Sequence, residues 1–268
     1  MSWPLVLLVV APVMAGLGSL LAQQRRAIEI LQCAQAGTML AAAVLVAEQV
    51  IVAGQVSVGA YLQADALSAW LDLIIGFVGS SGTLYAVGYV GEELDRAHLS
   101  LARYSQFFCI FDLYFAAMLL AVNIENIAIM WIAIEGSTLS AALLIGFERS
   151  KAALEAGWKF IILSAVGISL ALFGTILVYY SSEHVLGVSS EALRWSQLYR
   201  VAERLDPGAI TIAFIFALIG YGTKAGVAPM HTWLPDAHAE APTPVSAMLS
   251  ANMLTVAVYA ILRFKALT

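Results

Sequence analysis

The chain has 268 residues, 61% of them hydrophobic and only 12% charged, with a formal net charge of −5 and a mean hydropathy of +0.87. A soluble domain of this size is near half apolar and a quarter charged, so a water-soluble globule is excluded, and the scattered charge offers no basic block for nucleic acid. Cys33 and Cys109 stand alone in apolar segments, outside any CxxC or Cys/His cluster, so no disulfide, zinc or iron–sulfur site is assigned and both read as small packing residues.

Runs of twenty or more nearly uncharged residues predict an all-α polytopic membrane protein with eight helices, at about 3–22, 28–52, 66–90, 104–122, 124–147, 154–180, 208–240 and 243–265. Apolarity on all sides, without period-two alternation, excludes a membrane barrel. The first helix lacks the basic n-region of a signal peptide. Arg25 and Arg26 follow it instead of preceding it, so it reads as a retained span. Arg25, Arg26, Arg96, Arg103, Arg149 and Lys151 fall after the first, third and fifth helices, whereas the loops after the second and fourth carry no Lys or Arg. The positive-inside rule then places the N-terminus outside a bacterial or archaeal cytoplasmic membrane. Arg194, Arg200 and Arg204 break this pattern. They alternate with Leu193, Trp195, Leu198, Tyr199, Val201 and Leu205, which predicts an amphipathic helix lying at the outer interface. Arg263 and Lys265, at the end of the last helix, also count as outside and are a second exception. No polar linker divides the chain, so residues 1–268 read as a single membrane domain.

Ionisable residues inside spans carry the functional signal, because a charge at the bilayer centre costs about 2.5–3.5 kcal/mol on insertion scales and persists when paired, hydrated or in use. Glu135 sits near the middle of the fifth helix and is followed by Gly136, Ser137, Thr138, Ser140, Ala141 and Ala142, which allow close helix contact and room for water. Lys224 lies beyond the middle of the seventh helix among Gly220, Gly222 and Gly226, with Pro229 after it. Gly226 and Pro229 predict a helix broken at mid-membrane, a device that exposes backbone groups to ions in transporters. Desolvation lowers a lysine pKa and raises a carboxylate pKa, and an opposite charge nearby reverses both. A pair whose spacing changes can therefore load and unload a proton; a static ion pair tying the fifth helix to the seventh is the structural alternative.

Lys159, one turn into the sixth helix, is either a snorkelling cation or a further proton station. Asp112, and Asp72 with it, reads as facing a hydrated interface or as a relay. His231, Asp236, His238 and Glu240 cluster after the break; their spacing fits no dedicated metal site, and they read as a polar helix end or as a proton entry. GYGTKAG lacks a preceding strand and the spacing of a phosphate loop. Pro242 and Pro244 suit the first turn of the eighth helix, which carries Ser246, Ser250 and Asn252 for a water chain or for bonds across helices. No metal, cofactor or catalytic residue is assigned.

The segments MWIAIEGSTLS and IGYGTKAGVAPMHTWLPDAHAEAPTPVSAMLS resemble the antiporter-like proton-pumping subunits shared by complex I, Mrp antiporters and membrane-bound hydrogenases. ALEAGWKFIILSAVGISLALFGTILVYY is most similar to the hydrogenase-four component F branch of formate-hydrogenlyase-type, group 4 [NiFe] hydrogenase complexes. The resemblance covers essentially the whole chain and is strongest from about Val122 onward. It implies three peripheral helices over about 1–103, then one five-helix antiporter repeat over about 104–268 with a broken seventh helix. Glu135 then matches the modulating glutamate, Lys224 the broken-helix lysine, and Lys159 a lysine near the pair. Ser250 stands where complex I relatives often carry a histidine.

The family has a second, inverted repeat with its own charged residue and outward path, which this sequence lacks; a partner chain is one expected source. The resemblance implies a proton-translocating subunit without a redox centre of its own, in an oxidoreductase complex. Expected partners are lipid, other antiporter-like and anchor subunits, and peripheral [NiFe] hydrogenase and iron–sulfur proteins. Two alternatives stand beside it: a non-conducting membrane scaffold, and a subunit of a complex I, Mrp or inorganic-carbon uptake system.

Overall fold

The computed structural model describes residues 2–96, 98–187 and 189–268. Among the described residues eight helical segments are long and apolar enough to cross a membrane, and sheet is confined to one small hairpin. In chain order the elements are α1 (Trp3–Leu21), α2 (Arg25–Ala53), β1 (Val56–Val58), β2 (Leu62–Ala64), α3 (Ala66–Asp95), α4 (Leu101–Asn123), α5 (Ile127–Ile145) and α6 (Lys151–Leu186). They continue with α7 (Trp195–Arg200), α8 (Pro207–Lys224), α9 (Trp233–Glu240), α10 (Thr243–Met248), a π-helical turn (Leu249–Met253) and α11 (Leu254–Lys265). The helix starts follow local chemistry. Side-chain oxygens of Asp65, Asn126, Ser150 and Asp206 accept hydrogen bonds from backbone N–H groups in the first turns of α3, α5, α6 and α8, satisfying donors that have no helical partner.

Three departures from the sequence expectations are instructive. The sixth span is far longer than 154–180: α6 runs from Ser150, its N-cap, to Gly187, whose φ of +79° ends it. Its 36 residues reach about 54 Å at 1.5 Å per residue, well beyond the roughly 30 Å of a hydrocarbon core. The loop after the second span holds a hairpin that hydropathy does not reveal, with Val56 opposite Ala64 and Val58 opposite Leu62. It joins a stitched layer at that end of the bundle: Glu125 N donates to Tyr61 O at 2.8 Å, and Trp195 N donates to Glu125 O at 2.7 Å. The interfacial helix expected over 193–205 is present only as α7, flanked by short 3-10 turns.

α4 is the most enclosed span, packed between α1, α3 and α5. Its Phe107, Phe108, Phe111 and Phe115 form a run of stacked and edge-to-face rings. α6 and α8 approach more closely than large side chains permit. A Cβ added at Gly220 would lie 2.6 Å from Ala171 N and from Gly167 O, and one at Gly174 would lie 2.7 Å from Ala213 O. Small residues therefore bring the two backbones into direct contact, the usual solution where lipid removes any hydrophobic drive between helices.

Candidate functional site

Lys224 is the last residue of α8, and the chain breaks immediately after it. Val227 N donates to Gly222 O at 2.9 Å and Gly226 N to Thr223 O at 3.4 Å, with Gly226 at a φ of +72°. This is a Schellman ending, in which a left-handed residue reuses carbonyls that the helix has abandoned. Trp233 Nε1, from α9 across the break, donates to Thr223 O at 2.8 Å. A helix C-terminus carries the negative end of the backbone dipole, so a lysine there is well placed as a cation.

The Lys224 side chain is only 2% exposed. Its Nζ donates to Thr138 Oγ1 on α5 and lies 6.0 Å from the ring centroid of Phe160 on α6. Glu135 is three residues before Thr138, on the same face of α5. It is half-buried, and its Oε2 is buried with no hydrogen-bond partner. Glu135 thus lies one turn from the residue that meets the amine, yet among the described residues Lys224 forms no ion pair. The site thus holds a buried amine on a neutral hydroxyl, with a carboxylate nearby that retains an unused oxygen.

The remaining expected site residues divide into groups. Lys159 Nζ pairs with Glu155 at 2.8 Å and with Asp236 at 2.9 Å, and its side chain is about half exposed, so it ties α6 to α9 at the rim. His238 is half-buried, with Nδ1 2.9 Å from Ser246 Oγ and Nε2 3.5 Å from Ser250 Oγ. His231 is exposed. Among the described residues no group of three His, Cys, Asp or Glu could hold a metal ion. Asp112 does not face a hydrated interface: it is 0% exposed, and Gln32 Nε2 donates to its Oδ2 at 2.6 Å and to Ser19 Oγ at 3.0 Å. Asp72 is likewise buried, accepting from Asn123 Nδ2 at 2.8 Å. Both acids lie among the helices of the first half and share no partner with Lys224. The sequence reading missed Thr138 and Phe160 as neighbours of the lysine, and it missed the π-helical turn beginning one residue before Ser250. The only advance signal for Thr138 was its three-residue spacing from Glu135.

The family described as NADH:quinone oxidoreductase/Mrp antiporter, transmembrane, matches residues 125–268. The chain is 44% identical over 209 residues to a hydrogenase-4 component F homolog of Methylacidiphilum infernorum, a match spanning 78% of this chain and 44% of that protein. It is 32% identical over 204 residues to NADH-quinone oxidoreductase subunit L of Mycobacterium tuberculosis, spanning 75% of this chain and 30% of that one. The chain therefore spans less than half the length of these relatives. In fold it is similar to a chain of the membrane-bound sulfane sulfur reductase, an archaeal respiratory membrane complex, with a TM-score of 0.79 at 19% identity over 96% of this chain and 51% of that one. A chain of respiratory complex I from Thermus thermophilus gives a TM-score of 0.74 at 23% identity, over 97% of this chain and 52% of that one.

Proposed function

Because this chain belongs to the NADH:quinone oxidoreductase/Mrp antiporter membrane-subunit family, we propose that it moves protons through the Glu135–Lys224 site, as one membrane subunit of a redox-driven complex. The observation that carries this reading is the buried Lys224 ammonium position, held by Thr138 and left without an ion pair while Glu135 stands nearby with a free oxygen. A fully paired lysine would be a structural tie. An unpaired one responds to small changes in carboxylate distance, since approach of Glu135 favours the charged amine and separation favours the neutral one. Lys159 with Asp236, and His238 with Ser246 and Ser250, would be stations between this site and the water at the rim; exposed His231 would be an entry point. Asp112 is too enclosed for an entry and would at most be an internal proton holder.

The 44% identity to a hydrogenase-4 component F homolog, against 32% to the complex I and Mrp-type relatives, favours a group 4 [NiFe] hydrogenase-type complex. Electron transfer would then occur in peripheral hydrogenase and iron–sulfur subunits. Other antiporter-like subunits, or a chain supplying a second repeat, would complete the path across the cytoplasmic membrane. The N-terminus would lie outside, as the basic loops favour. The test is proton uptake into inverted vesicles during turnover of the intact complex. Lys224→Ala and Glu135→Gln should each abolish uptake while the complex still assembles. Unchanged uptake in both would assign the chain a scaffolding role instead, and uptake that depends on sodium would move it toward the Mrp-like antiporters.

A further inference from the structure

Where α4, α5 and α6 meet, a groove of about 300 Å³ opens on the bundle surface, away from Lys224. Its walls are apolar, formed by residues such as Ile110, Leu143, Leu154 and Ile161, and Leu143 and Trp158 are exposed beside it. Arg103 and Arg149 also line it, and no acidic side chain does. Arg103 donates to the Phe147 carbonyl and lies 4.6 Å over the Phe147 ring, which fixes its guanidinium while leaving its Nε buried without a partner. Arg149 has a φ of +58°, the only positive value at a non-glycine among the described residues. Neither arginine is in an ion pair among the described residues, although Glu93 and Glu148 line the adjoining cavity with Arg103. Two unneutralised guanidiniums of like sign at an apolar groove are complementary to one molecule type: an anion bearing a hydrocarbon chain.

We infer that this groove is a binding site for an anionic phospholipid, with an acyl chain along the α4–α5–α6 walls and the headgroup phosphate between Arg103 and Arg149. Guanidinium recognises phosphate through paired N–H donors. Trp158 is suited to the headgroup level, where its ring is apolar and its N–H finds water. The site is independent of the proton reading, since no residue of the Glu135–Lys224 pair contributes to it.

Native mass spectrometry of the purified chain in neutral detergent, with phosphatidylglycerol or phosphatidylcholine added, tests this. Wild type should retain phosphatidylglycerol selectively. Arg149→Gln should weaken that retention about fivefold, the effect of one cation near a lipid surface, and Arg149→Lys, which keeps the charge and loses the paired donors, should restore only part of it. Arg149 makes no side-chain bond among the described residues, so its variants should unfold at the wild-type temperature without lipid. Equal retention of the two lipids, or unchanged retention in Arg149→Gln, would overturn the inference. So would displacement of the lipid by inorganic phosphate at equal concentration, because the groove would then contribute nothing.

Discussion

Among the described residues Thr138 is the only hydroxyl that meets the Lys224 amine, and it also donates to Ile134 O at 3.1 Å. Replacing it with valine keeps the shape and removes the oxygen, which strands a buried donor at a cost of about 1–3 kcal/mol. In a Lys224→Met background the same change should cost almost nothing. A double-mutant cycle by thermal unfolding in detergent measures the difference, and additive costs would disprove the contact. Glu135 and Lys224 were legible in the sequence because each is an isolated charge within an apolar run, where its cost demands a reason. Thr138 was not, since hydroxyls in membrane helices usually bond back to their own helix, as Thr175 does to Ala171 O at 3.0 Å and Ser169 does to Ala165 O at 2.7 Å. Asp112 was misplaced for a related reason. A sequence marks a carboxylate but not the partner that encloses it, and Gln32 comes from a helix 80 positions away.

Among the elements, the break after Lys224 was readable because glycine and proline act locally. Gly226→Ala should cost about 1–2 kcal/mol through its left-handed backbone, and it should impair proton uptake by disturbing the turn onto Gly222 O and Thr223 O that ends α8 at Lys224. Gly220→Ala should cost more than Gly226→Ala, since the new methyl meets backbone of α6 at 2.6 Å, which neither helix can yield without separating. Chemical unfolding of the two variants checks the order, and a smaller loss at Gly220 would mean that the helices are less tightly joined. Element ends were less readable. Hydropathy locates what lipid covers, and it is silent where α6 continues into water or where the β1–β2 hairpin closes the end of the bundle. Both of those depend on hydrogen bonds and caps rather than on apolar length.

For the whole molecule, the orientation rule met its exception at Arg263, and the structure gives the reason. Arg263 is buried, donating to Asp65 Oδ2 at 2.6 Å and Oδ1 at 2.8 Å, and it sits 4.8 Å from the rings of both Trp195 and Tyr259. A neutralised guanidinium of this kind no longer reports which side of the membrane it faces. The pair also clasps the start of α3 to the end of α11, joining the third span to the last. Burial acts to raise the Asp65 carboxyl, but the hydrogen bonds and charge of Arg263 outweigh it and hold the group below the usual carboxylate range. A depressed acid stabilises the fold above its unfolded value of about 3.9 and loses that contribution as pH falls through its folded value. Asp65→Asn should therefore lower the unfolding temperature at neutral pH, and the gap from wild type should close below about pH 4; a gap independent of pH would remove the ion pair from the account. The fold class, the eight spans and the family were all within reach of the sequence, because hydropathy and the long motif around Lys224 are contiguous. The pairings that hold the bundle together join positions far apart and were not. The glycine seam between α6 and α8 has a mechanical consequence. With their backbones in contact, the two helices behave as one stiff plate that carries both Lys224 and Phe160. Any relative motion at the site would then fall at the boundary with α5, where the Thr138–Glu135 face meets the amine.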